Sequence, residues 1–190
     1  MKMFTKKLIA FAVLCALFLT PTLSFAGKDN NTLKAGVSYV WLSDYDSQGM
    51  MFSNSFNHYL SDRLSLGLNL GMLSASRYDK VEELFSIKNT FYMGSLEASF
   101  DLLRNESIAF RIGGGGAARH RAEINSNAED EGTLDGKVMH IKTSDFGFNG
   151  YIENDFSILK NGVAGGRIGY YYYTKGTPVL SIGMHIGFTF

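Results

Sequence analysis

The feature that most constrains this chain is its last strand. Leu180, Ile182, Met184, Ile186, Phe188 and Phe190 share one face, and Ser181, Gly183, His185, Gly187 and Thr189 the other. This is the period of two that a half-buried β-strand requires. The chain also stops on an aromatic of the apolar face. Chain ends of soluble domains usually fray, so an apolar-aromatic end points to a strand held in an apolar setting.

The same alternation recurs upstream. In Arg63–Ser74, Leu64, Leu66, Leu68, Leu70 and Met72 oppose Ser65, Gly67, Asn69 and Gly71. Leu33, Ala35, Val37, Tyr39 and Trp41 alternate with Lys34, Gly36 and Ser38. Residues 49–60 form a less regular strand with Phe52, Phe56 and Leu60 outward and Asn54 and His58 interrupting that face. Further strands are read at 90–102, 107–119, 145–157 and 163–173, which makes eight. No segment after the leader approaches 18 consecutive apolar residues, so alternation summed over strands carries the membrane reading.

The leader is a processing signal rather than fold. Lys2, Lys6 and Lys7 precede the apolar run Leu8–Leu19, and Ser24-Phe25-Ala26 supplies small residues at −3 and −1. Cleavage is expected after Ala26, leaving Gly27–Phe190 as one barrel domain. Cys15, the one cysteine, is preceded by Leu14, which does not suit a lipoprotein signal, and it would leave with the leader. Loss of three lysines from a chain with 18 cations and 18 anions gives a net charge of −3, which argues against nucleic acid as a partner.

Link lengths supply an independent test. Ser61-Asp62, Leu103–Glu106 and Leu159–Gly162 are short and fall on one side. Asp44–Gln48, Arg77–Lys88, His120–Lys137 and Thr174–Thr177 fall on the other and include the two long ones. Short periplasmic turns with longer external loops are the asymmetry of an outer-membrane barrel. Aromatics cluster at both strand ends: Tyr39, Trp41, Tyr92 and Tyr170–Tyr173 outside, Phe100, Phe156, Phe188 and Phe190 inside.

Signal, alternating strands, short turns and a terminal strand ending in Phe190 together resemble the small outer-membrane β-barrel families of the OmpA/OmpX type. The resemblance covers the whole mature chain and is one of pattern. It implies an all-β, eight-stranded antiparallel up-and-down barrel in the outer membrane of a Gram-negative cell. It further implies contact with outer-membrane lipids and lipopolysaccharide, and insertion by the barrel-assembly machinery, with Phe188 and Phe190 in the strand that machinery reads.

Candidate functional residues follow from facing. Glu97, Arg111, Glu153, Arg167 and His185 point into the lumen at similar depth, where buried charges must pair. A structural ion cluster is expected, with a proton or ion path as the alternative. Gly113–Gly116 weakens a strand, and lumen-facing Gly113 and Gly115 are expected to make room for Tyr171 or Arg167. Barrels of this size include lipid A deacylases and acyltransferases. The deacylases use a His–Ser pair on the lipid face. His140 and Ser144 would lie about 13 Å apart along a strand, His58 lies toward the inner end, and His120 has no serine near it in sequence. Acyltransfer would ask for an external His beside Asp46-Ser47, which is not evident. Glu129-Asp130-Glu131 lacks the frame of a calcium loop. The expectation is a non-enzymatic barrel with a structural or surface-binding role and no catalytic, cofactor or metal residues. A lipid A-modifying enzyme and a small pore are the alternatives.

Overall fold

A computed structural model of the chain describes residues 31–43, 47–79, 84–105, 107–125, 139–158 and 161–190. The leader and the Glu129-Asp130-Glu131 run lie outside the described residues. Eight strands follow in order: β1 Asn31–Leu42, β2 Ser47–Tyr59, β3 Leu64–Asp79, β4 Leu84–Arg104, β5 Ile108–Asn125, β6 Met139–Ser157, β7 Gly162–Tyr173 and β8 Val179–Thr189. Each pairs antiparallel with its sequence neighbour, and β1 pairs with β8 to close the barrel. Closure removes the sheet edges that an open sheet would expose in lipid. Its last rung is made by the terminal residue: Asn31 and Phe190 exchange backbone hydrogen bonds of 3.0 and 2.9 Å.

The end that carries Asn31 and Phe190 is called inner. Its turns are stapled locally. Ser61 Oγ accepts from the Leu64 amide at 3.1 Å, and Asn105 Oδ1 accepts from the amides of Ser107 (2.9 Å) and Ile108 (2.7 Å). Such side-chain acceptors satisfy amides that a tight turn would leave unpaired.

The outer end differs from the sequence expectation. Residues 77–79, 84–88, 120–125 and 139–144, expected in or beside loops, belong to strands β3, β4, β5 and β6. The ladder runs on to Asp79↔Leu84 and Asn125↔Met139. Apolar alternation ends earlier because outward positions above the aromatic belt turn polar: Lys88, Thr90, His120, Lys142 and Ser144. The backbone needs no apolar side chain to keep pairing, so hydropathy marks the membrane boundary and not the strand end. Two bulges, at Arg77/Tyr78 and Asp101/Leu103, also shift the register.

The facing rule sorts the side chains. The outside carries exposed Leu64, Leu66, Leu68, Leu70 and Met72 of β3 and Leu180, Ile182, Met184, Ile186 and Phe188 of β8. Phe146 is 71% exposed and Met184 78%, a surface that water would not tolerate over a whole barrel and hydrocarbon does. The lumen has two tiers. Toward the inner end it is ionic. Toward the outer end it holds an apolar core of Val40, Leu42, Leu73, Phe91, Tyr173 and Val179.

Candidate functional site

The inner tier is a continuous ion network. Lys34 from β1 places Nζ 2.6 Å from both Glu153 Oε1 and Asp155 Oδ2 of β6. Arg111 from β5 lies 3.2 Å from Glu153, 2.8 Å from Asp155 and 3.1 Å from Asp101 of β4. Arg167 from β7 reaches Glu97 at 2.7 Å and Glu153 at 3.6 Å, while its guanidinium lies 3.7 Å over the Tyr151 ring. His185 from β8 places Nε2 2.6 Å from Asp155 Oδ1. Glu97 also accepts from Ser95 (2.7 Å) and Asn149 (2.6 Å).

The structure thus brings together all five lumenal residues singled out from sequence: Glu97, Arg111, Glu153, Arg167 and His185. Lys34, Asp101 and Asp155 complete the network. Their inward facing was legible, but their shared height was not, because it depends on the stagger between neighbouring strands. Lys34 and Arg111 are each 2% exposed, so the charges must answer one another.

Glu153, Asp155 and His185 put one possible ligand atom each within 4.8 Å of one another. The Lys34 ammonium and the Arg111 guanidinium already sit against both carboxylates. The positive charge a metal would bring is supplied by side chains.

Glycine 113–116 serves packing, though not for the neighbours expected. A Cβ on Gly113 would lie 2.5 Å from the Tyr151 ring, and one on Gly115 only 1.8 Å from the Leu96 carbonyl oxygen. Gly113 therefore admits Tyr151, on which Arg167 stacks, rather than Tyr171 or Arg167 directly. One lumenal cavity has a volume of about 20 Å³ and is lined by Ser53, Asn69, Glu153, Arg167, Tyr171 and His185 among others. A second, near Ser95 and Met93, is about 10 Å³. Each has room for about one water.

The outer tier is fastened by Arg119, a residue that sequence reasoning passed over. Its Nε lies 3.1 Å from Asp145 Oδ2, and its two terminal nitrogens donate to the carbonyls of Thr177 (2.7 Å) and Lys175 (2.6 Å). Its guanidinium also lies 4.0 Å over the Tyr173 ring. One side chain thus ties β5 to β6 and to the β7–β8 link, where Gly176 takes φ +73°, a conformation L side chains rarely adopt.

The residues weighed for lipid chemistry fall as follows. His58 Nδ1 lies 2.9 Å from Asn31 Oδ1 at the inner end. The His140 side chain and Asp46 lie outside the described residues, and Ser47 is buried at the start of β2. His120 corrects the sequence reading. Register places it directly across from Ser144, and Nδ1 lies 3.0 Å from Ser144 Oγ on the outward face. Their separation of 24 positions in sequence hid a cross-strand pair.

No protein-family profile and no curated protein matches the chain. Solved structures do. Ail, the attachment invasion locus protein of Yersinia pestis, is 13% identical, with 87% of this chain and all of that one covered, at a TM-score of 0.54. Neisserial surface protein A has the same identity and coverage with a TM-score of 0.57. A major outer membrane protein of Thermus thermophilus is 14% identical over 84% of this chain and 99% of its own, at 0.57. The chain has the closed, eight-stranded fold of the small bacterial outer-membrane β-barrels.

Proposed function

We propose that this chain resides in a bacterial outer membrane as a barrel whose lumen is plugged by its own side chains, and that it acts structurally and through its outer hairpins. The observation that carries the reading is the lumen. Ion network and apolar tier together fill it closely: the cavity lined by Glu153, Arg167, Tyr171 and His185 measures only about 20 Å³. Eight strands give a bore that side chains can fill, and here they fill it with paired charges.

A surface-binding role draws support from strand length. β4, β5 and β6 run 21, 18 and 19 residues, against 12 for β1 and β7 and 11 for β8. The extra length lies at the outer end. Lys88 and Lys142, both exposed there, suit phosphate groups of lipopolysaccharide, and Phe188 and Phe190 suit recognition by the assembly machinery. Ail is described as an attachment protein, which makes attachment the first binding role to examine.

The test is electrical. Purified barrel in planar bilayers gives no discrete conductance steps, and the Arg167→Ala/Glu97→Ala variant, which empties the centre of the lumen, gives small ones. Regular steps from the unaltered protein would overturn the plugged-lumen reading.

A further inference from the structure

The outward wall, at the edge of the aromatic belt, holds a feature that the plug does not use. His120 and Ser144 sit on the outward face of β5 and β6, His120 directly across from the belt residue Tyr92 and Ser144 two residues above Phe146. Their Nδ1–Oγ separation of 3.0 Å is the reach of a base from a nucleophile. Phe146 O accepts from the Thr174 amide across the β7 side of β6, so even-numbered residues of β6 aim their backbone groups away from β5. The His120↔Ser144 rung is therefore a non-hydrogen-bonded pair, the closer kind. The β6–β7 ladder ends at Gly147↔Tyr173. The Ser144 amide points to the same side of β6, beyond that last rung, the direction from which an oxygen bearing negative charge would meet it.

A furrow leads down from this pair. The outward positions of β5 below His120 are Ala118, Gly116 and Gly114, paired with Gly94, Leu96 and Ala98 on β4 and with Phe146, Phe148 and Gly150 on β6. A Cβ at Gly116 would meet nothing within 4 Å. Phe148, across from Gly116, instead stacks on Tyr172 of β7, with ring centroids 5.1 Å apart. From Gly114 to His120 the strand spans about 20 Å, the reach of a long acyl chain.

We propose that His120 and Ser144 form an interfacial esterase site acting on carboxylic esters of membrane lipids, with the acyl chain lying in the Gly114–Gly116–Ala118 furrow. Ser144 Oγ attacks the ester carbonyl carbon while its proton passes to His120 Nδ1. The bond to the alcohol oxygen breaks, and that oxygen takes the proton. Water, deprotonated by the same imidazole, then cleaves the acyl-serine and releases the carboxylic acid. The activity goes beyond the structural role and does not depend on the state of the lumen.

The test uses full-length mature protein in detergent micelles with p-nitrophenyl palmitate and p-nitrophenyl acetate. The unaltered barrel releases nitrophenol above protein-free micelles. S144A and H120A, checked for the heat-dependent gel shift of a folded barrel, lose roughly 100-fold or more. G116F lowers the palmitate-to-acetate rate ratio. A fluorophosphonate probe adds to Ser144 with loss of fluoride, read by intact mass, and fails to add to H120A. No hydrolysis above the blank, an undiminished rate in folded S144A, or no adduct on Ser144 would each overturn the proposal.

Discussion

Lys34 is the most informative side chain to remove. It is buried, and its ammonium makes two contacts of 2.6 Å, one to Glu153 and one to Asp155. Four carboxylates, Glu97, Asp101, Glu153 and Asp155, share this tier with three basic side chains, Lys34, Arg111 and Arg167, and with His185. Lys34→Met keeps the apolar stem and deletes the charge. Glu153 and Asp155 then depend on Arg111, His185 and the more distant Arg167. Removing one partner of a buried pair costs about 3–5 kcal/mol because the other charge stays buried. Arg111 remains against both carboxylates, so the low end applies, about 3 kcal/mol. With a urea slope of about 1–3 kcal/mol per molar, the unfolding midpoint falls by about 1–3 M.

The assay is urea unfolding of the barrel in lipid vesicles, followed by tryptophan fluorescence of Trp41 and by mobility on an unboiled gel. A second variant separates charge from volume. Lys34→Met/Asp155→Leu removes a cation and an anion together, and it recovers much of the loss, since an apolar replacement of a buried pair is often neutral. A Lys34→Met midpoint within about 0.3 M of the unaltered protein would refute the reasoning, as would a double variant less stable than the single by the full cost of a second lost partner.

Other outcomes follow from the same geometry. Arg119→Met removes the Arg119 bonds to the Lys175 and Thr177 carbonyls and its ion pair with Asp145, so trypsin added to intact vesicles cuts after Lys175 at least several-fold faster; an unchanged cleavage rate refutes the clamp. Gly115→Ala drives a Cβ into the Leu96 carbonyl and lowers the yield of gel-shifted barrel, at a cost of about 1–3 kcal/mol or more. Gly116→Ala, one residue on and facing open space, stays within about 0.5 kcal/mol, and equal behaviour of the two variants would refute the facing assignment. Deleting Phe190 removes both backbone bonds to Asn31 and reduces barrel in the outer-membrane fraction of cells several-fold, measured by immunoblot; undiminished levels would count against a targeting role for the last residue.

How much of this was legible in sequence depends on which geometric variable is asked for. Facing is fixed by parity, so the outward Leu64–Met72 and Leu180–Phe190 stripes could be read directly, and with them strand number and closure. Height is not fixed by parity. Lys34 stands on the inward face of β1 by parity alone, yet nothing in its own strand says that it meets residues 153 and 155. The stagger accumulated over the intervening strands decides that, and bulges such as Asp101/Leu103 adjust it. The sequence signal that could have found Lys34 is charge balance: an inward lysine requires an inward carboxylate at its own depth.

The same limit explains the two assignments that sequence reasoning missed on the outer half. Arg119 and Asp145 are partners across one rung of the β5–β6 hairpin, and His120 and Ser144 across the next. Sequence proximity searches along the strand, whereas in an antiparallel hairpin the nearest side chain is the one directly across. Once strands are seen to outlast the apolar pattern, folding the β5–β6 hairpin about its connection puts both pairs face to face, one inward and one outward. The outward rung is the more telling of the two. Inward, Arg119 and Asp145 satisfy burial. Outward, at the edge of the belt, packing gives no reason for an imidazole and a hydroxyl to meet, which is why that rung, and not the better-connected lumen, carries the case for chemistry.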